Sequence, residues 1–393
     1  MYKFPSIAQY HNTVNRITQL CEYRGLALPE LEFTGTVKLH GSNTSIFQVG
    51  EEGDIKTQSR NRMLSLEHDH DNFTHFVMQP ERLEQVKRIF QTAWSLKRNE
   101  INLNTYPNTA LVIYGEWCGE GTKTAAINQI GQNFFIFAIK MVFEPVCPAQ
   151  VQEVQVLPGE AVEAQEPEPR ENALWFSAQE IAQTINGKNN GRLGETQNTL
   201  NNIYSIYDFS TWKIKIDFNH PQNMIETLNH LTLEVERCCP VAKRWGVQGI
   251  GEGIVWKCET RLAEYDTSDL IFKIKGPKHK VNNKKELTSA QVERLGTTQE
   301  FVDMCLTQER LAQGLEYMRE MRSSVVIENL GVFLKWIVKD CLKEELDVVE
   351  QSGLVRTEVV ALINDRAKKW YFNILKESLA PTYKPTSSRK CNI

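Results

Sequence analysis

The chain has 393 residues, 41% hydrophobic and 24% charged, which suits two or three soluble domains with a sizeable core. Its net charge of −4 excludes bulk electrostatic binding to nucleic acid but leaves room for a local basic groove. No apolar run approaches the roughly 18 residues of a membrane span, and the nine cysteines include no Cys-x-x-Cys pair, so neither a membrane protein nor a zinc or disulfide framework is expected.

The segment after Met1–Pro5 reads as a helix. Ser6 and Gln9 fit a capping box, Ile7, Tyr10, Val14, Ile17 and Cys21 repeat at helical spacing, and Gly25 is placed to end it. Strand-like runs follow at 33–38 and 44–48, flanking a turn at His40-Gly41-Ser42-Asn43, then at 110–116 and 134–143. Residues 145–171 are rich in Pro, Glu, Gln and Val and read as a peripheral insertion. A strand is expected at 212–218 and a helix carrying Met224, Leu228, Leu231 and Val235. Two more strands are expected at 253–258 and 270–275. A basic linker at 277–287 leads into a helical region, 287–380, with Met318, Met321, Val325, Leu334, Trp336 and Ile337 as expected core. Residues 381–393 read as a tail. The opening residues lack the apolar stretch of a secretory leader, so a reduced, cytoplasmic protein is expected.

Five segments in fixed order carry the chemistry. They are Lys38-Leu39-His40-Gly41-Ser42-Asn43, Tyr114-Gly115-Glu116-Trp117, Phe134-Phe135-Ile136-Phe137, Glu252-Gly253-Ile254-Val255-Trp256-Lys257 and Phe272-Lys273-Ile274-Lys275-Gly276. A lysine amine attacks only when neutral, and its unperturbed pKa is about 10.4, so nearby cations or desolvation must favour the neutral form. Lys273 and Lys275 alternate with Phe272 and Ile274 and therefore share one strand face. They could serve Lys38 in that way.

This ordered set resembles the covalent nucleotidyltransferase superfamily of DNA ligases, RNA ligases and mRNA capping enzymes. It is most similar to the RNA ligase family typified by the second RNA ligase of T-even bacteriophages, over roughly residues 30–280. The resemblance implies an α+β fold: a nucleotidyltransferase domain, 1–280, built on antiparallel sheets with flanking helices, then an α-helical C-terminal domain. It implies an ATP-dependent ligase with ATP and Mg2+ (or Mn2+) as cofactors. Lys38 would form a lysyl-AMP, pass AMP to a 5′-phosphate, and a 3′-hydroxyl would then displace it. Lys38, Lys273, Lys275, Glu252 and His40 would be catalytic. Gly41, Asn43, Arg60, Glu116, Phe137 and Lys257 would join the nucleotide site. Glu116 would meet a ribose hydroxyl, Phe137 would stack on adenine, and Glu252 would place the metal, directly or through water.

Alternatives stay open at several positions. Phe137 could instead be a core aromatic, Arg62 could replace Arg60, and Lys257 could be structural. The His68-Asp69-His70-Asp71 run with His75 reads as a polar loop rather than a metal site. The implied partner is RNA or RNA/DNA ends in a nicked duplex, with an end-healing kinase or phosphatase acting beforehand, no membrane, and a monomeric enzyme. DNA ligase and capping enzyme are the alternatives within the superfamily. A non-catalytic nucleic-acid-binding protein is the alternative outside it.

Overall fold

The structure is a computed structural model that describes residues 1–101, 105–119, 125–143, 172–186, 202–259, 270–279 and 296–379. The expected insertion at 145–171, most of the basic linker and the tail lie outside the described residues. The chain divides into two units, Met1–Lys278 and His279–Ile393. No described helix is long and apolar enough to cross a membrane.

The first unit runs β1 (Ala8–Gln9), α1 (Tyr10–Arg24), β2 (Glu30–Lys38), β3 (Ser42–Val49), β4 (Lys56–Ser59), α2 (Phe73–Val77) and α3 (Pro80–Lys97). It continues with β5 (Ala110–Cys118), β6 (Asn133–Val142), β7 (Ala173–Trp175), α4 (Ala178–Asn186), β8 (Ile203–Ser205) and β9 (Thr211–Asp217). It closes with α5 (Ile225–Arg237), α6 (Pro240–Lys243), β10 (Gly253–Cys258) and β11 (Ile271–Lys275). Two sheets form, ordered β1-β11-β10-β2-β9 and β4-β3-β5-β6-β7, with β8 beside β6. The pairings are antiparallel except β1 with β11 and β6 with β8.

The short link after Lys38 is not a hairpin turn. β2 and β3 belong to different sheets, so Leu39-His40-Gly41 carries the chain from one sheet to the other. Ser42 and Asn43, expected in the turn, are the first residues of β3. The expected capping box before α1 also does not form. Ala8 and Gln9 pair as a strand with Phe272 and Lys273, and the Gln9 side chain makes no capping hydrogen bond. Gly25 does end α1, with φ of 64° and its N–H on the carbonyls of Cys21 and Glu22.

β5 is buried on both faces, which explains its unbroken Ala-Leu-Val-Ile-Tyr run. Leu111, Ile113 and Trp117 join the core with Val86, Ile89, Phe90, Ala93 and Trp94 of α3. α3 is absent from the sequence expectation, although these residues keep helical spacing and Pro80 sits at its start. The other face of β5 bears Ala110, Val112 and Tyr114, covered by Tyr2, Phe4, Phe137 and Trp175.

The second unit contains α7 (Thr298–Cys305), α8 (Gln308–Glu320), α9 (Leu330–Gln351) and α10 (Arg356–Leu379) around a core that includes Phe301, Met318, Phe333, Ile337, Ile363 and Tyr371. Thr297 and Glu300 form a complete capping box on α7. Of the expected core residues, Met318 and Ile337 are buried, and Val325, Leu334 and Trp336 pack partly against that core. Met321 is 37% exposed instead, because it caps α8 beyond the last packed turn.

Arg310 is the polar centre of this unit. Its side chain is fully buried, 3.0 Å from Asp340 and 3.1 Å from Glu344, and donates to the Cys305 carbonyl. Arg310→Met should lower unfolding free energy by about 3 kcal/mol, since it strands two carboxylates beside an apolar core. A chemical-denaturation midpoint equal to wild type would contradict that account.

Candidate active site

Lys38 is the last residue of β2 and the Cα partner of Gly253, which is in turn the partner of Lys275 across β10 and β11. Three adjacent strands thus bring two lysines to one sheet end. Gly253 cannot be replaced there without a shift, because a Cβ would stand 2.1 Å from the Ile274 carbonyl oxygen. Glu252 precedes it and its carboxylate bridges the cations. Oε2 lies 2.8 Å from Lys38 Nζ and Oε1 lies 3.1 Å from Lys275 Nζ. His40 Nδ1 is 3.8 Å from the same Oε2. The Glu252 side chain is 4% exposed, the two lysines 21% and 16%. Burial alone would push the Glu252 carboxyl up. Lys38 and Lys275, with His40, overcome it and hold the carboxyl well below the usual carboxylate range.

The second sheet supplies the next carboxylate. Glu116, on β5, accepts the Gly41 N–H at 3.0 Å. Gly41 must be glycine for that approach, since a Cβ would meet the Trp117 carbonyl oxygen at 2.3 Å. Asn43 is the Cα partner of Glu116, so both side chains leave the same sheet face. Burial, reinforced by the negative charge of Glu252, pushes the Glu116 carboxyl up, and Lys38 opposes the shift without cancelling it. Two carboxylates near one lysine are therefore driven apart in proton affinity.

A raised folded pKa means the native state holds the proton more tightly. The Glu116 contribution is therefore present below the reference value of 4.5 and is lost as pH rises through the folded value. Glu116→Gln keeps an acceptor for Gly41 and removes the titration. The melting temperature of wild type relative to this variant should fall between about pH 4.5 and pH 7. A constant difference across that range would contradict it.

β6 carries a bulge here. Tyr114 pairs with Ala138 and Gly115 with Ile136, which leaves Phe137 without a partner. Phe137 is half-buried, and Phe4 meets it edge-on at 5.0 Å. Phe4 also packs on Tyr114 and Trp175. Sequence reasoning passed over Phe4. Its one signal was the alternation of Tyr2 and Phe4 in an extended stretch.

The remaining candidates separate. Lys273 lies on β11 opposite Val255 and shares the alternation that exposes Lys275. Lys257, two strand steps beyond Val255, donates to the Phe176 carbonyl at 3.3 Å. Arg62 donates to the carbonyls of His68 at 2.8 Å and Asp69 at 2.7 Å. Arg60 is exposed just past the end of β4. The His68–His75 segment is a helix entry. Asp69 accepts from the backbone of His70, Thr74 and His75 and from the His75 ring. Cys118 is buried, and burial with the charge of Glu116 pushes its thiol well up, which disfavours the thiolate. Among the described residues, no three His, Cys, Asp or Glu side chains converge as a metal cage.

A family model described as RNA ligase matches residues 31–275, a span that holds every charged side chain of this site. No curated protein matches the chain. Among solved structures it is similar to an RNA ligase of Naegleria gruberi. An arginine variant with ATP and manganese aligns at 17% identity and a TM-score of 0.37, covering 71% of this chain and 57% of that one. The form with pyrophosphate aligns at 17% identity and a TM-score of 0.34 over the same shares. The chain therefore spans little more than half the length of those solved proteins.

Proposed function

The chain belongs to the RNA ligase family, and from that membership we propose that it seals polynucleotide ends through a covalent adenylate on Lys38. The observation that carries the reading is the Lys38–Glu252–Lys275 arrangement at the end of β2, β10 and β11. In the first step Lys38 Nζ, having lost a proton, bonds to the α-phosphorus of ATP, and the bond to the pyrophosphate oxygen breaks. In the second, a 5′-phosphate oxygen attacks the same phosphorus and Lys38 Nζ leaves, recovering a proton. In the third, a 3′-hydroxyl attacks the activated 5′-phosphate, a phosphodiester forms and AMP departs.

Each residue contributes at a stated atom. Lys275 faces the carboxylate that holds Lys38, and in this reading its ammonium would meet the charge that develops on the α-phosphate. Lys273 extends that cationic face along β11. Glu252 faces both ammonium groups and acts as their electrostatic partner. His40 shares its carboxylate. Glu116 and Asn43 share a face suited to ribose hydroxyls, and Phe137, aimed by the bulge, suits the base. Arg60 remains as a fork for phosphate.

The site fits magnesium or manganese in one manner. With no three-ligand cage among the described residues, the ion would bind through nucleotide phosphates with Glu252 as its protein carboxylate. When bound it would neutralise charge on the leaving pyrophosphate.

The helical second unit favours an RNA ligase over a DNA ligase or capping enzyme, which carry a β-barrel after the fifth motif. A nicked duplex, healed beforehand by a kinase or phosphatase and bound by a monomer, is the substrate that this reading implies. The test is discharge. Adenylated protein mixed with nicked duplexes should transfer AMP and seal when the 3′-hydroxyl strand is RNA. Sealing of all-DNA nicks alone would overturn the RNA assignment. Labelling by GTP in place of ATP would move the protein to capping chemistry.

A further inference from the structure

The site face carries more aromatic surface than lysine adenylation uses. Phe135 is the Cα partner of Glu116 across β5 and β6, so its ring leaves the sheet on the side of the two carboxylates. Tyr204, Phe209 and Trp245 gather on it, with ring centroids 5.6, 5.7 and 6.2 Å away. Phe209 stands two residues before Thr211, which pairs with Thr36 of β2, itself two residues before Lys38. The cluster therefore extends from beside Glu116 toward the strand end that presents the nucleophile.

Its members differ in burial. Phe135 and Tyr204 are buried, as core rings are. Trp245 is only half-buried, stacked on Phe209 at 5.9 Å and 25°, with the exposed Lys243 and Arg244 just before it. The indole N–H groups of Trp94, Trp117 and Trp370 donate to protein acceptors, whereas those of Trp212, Trp245, Trp256 and Trp336 have none among the described residues. Trp245 combines a half-buried ring, backed by three other aromatic rings, with two exposed cations directly before it.

We propose that Trp245 is a stacking platform for a base of the polynucleotide beside the phosphate that receives AMP, with Lys243 and Arg244 meeting the neighbouring phosphates. This rests on the ligase reading above. Phe209 beneath and Phe135 and Tyr204 at the sides hold the ring in place, so little order is lost when a base stacks on it. Stacking tolerates any base, as an enzyme that seals many ends requires. In a chain of net charge −4, the phosphate contacts must come from local cations such as these.

The test compares Trp245→Phe and Trp245→Leu in the full chain. Both fill the space over Phe209, and only Phe keeps a π-face. Two readouts are followed: self-adenylation with labelled ATP, and the nicked-RNA concentration needed to discharge preformed adenylate. Trp245→Leu should raise that concentration between about fivefold and a hundredfold, with Trp245→Phe close to wild type. Self-adenylation, which involves no polynucleotide, should fall less than about threefold in either. Discharge of Trp245→Leu at the wild-type concentration, or loss of both activities in step, would overturn the platform. Should wild type form no adenylate, the ligase reading fails instead. Fluorescence anisotropy with a labelled RNA oligonucleotide then decides the platform alone, through weaker binding by Trp245→Leu or equal binding by both.

Discussion

Lys38→Arg should fold, keep its charge opposite Glu252 and form no covalent adenylate. A guanidinium stays protonated at any working pH, so it can take the ion-pair position and cannot attack phosphorus. The substitution separates the two properties of Lys38 that the site uses, a cation 2.8 Å from a buried carboxylate and a potential amine nucleophile. Labelled AMP that survives denaturation should fall at least about a thousandfold, to background. The melting temperature should move less than in Lys38→Ala, which leaves Glu252 with Lys275 as its main cation. A labelled Lys38→Arg protein would show that another residue carries the adenylate.

Glu252→Gln should lower self-adenylation about a hundredfold to a thousandfold, the scale of removing one aligned electrostatic partner. The amide keeps the size of the carboxylate and loses the charge that holds Lys38 and Lys275 together. Stability gives a second readout. The folded Glu252 carboxyl sits well below its reference value of 4.5, so its contribution is present above that value and is lost as pH falls through the folded one. The melting-temperature gap between wild type and Glu252→Gln should therefore be full at pH 7 and narrow below about pH 4.5. Wild-type adenylation by Glu252→Gln would remove Glu252 from the mechanism.

The sequence carried the strands of the site well and their arrangement poorly. Lys38, Gly253 and Lys275 sit in runs whose alternation marks them as strand residues, yet no local pattern says that β10 lies between β2 and β11. The Gly41-Ser42-Asn43 stretch has turn chemistry, but the neighbouring strands part into different sheets, a choice made by long-range pairing. Arg60 and Arg62 are alike in sequence. Only the His68–Asp69 carbonyls, which occupy the Arg62 fork, distinguish them. Lys257 was legible as a strand residue, and its anchor on Phe176 comes from a segment far along the chain. α3 could have been found, because Val86, Ile89, Phe90, Ala93 and Trp94 keep helical spacing throughout. Trp245 could not. It follows a four-residue helix, and the rings that support it come from Phe135, Tyr204 and Phe209.

The most direct test is to incubate the full chain with magnesium and ATP labelled at the α-phosphate, digest it, and locate the label by mass spectrometry. The account predicts AMP on the peptide that contains Lys38, released when nicked RNA is added. AMP on any other residue, or no covalent AMP after bound nucleotide has been stripped from the purified protein, would contradict it.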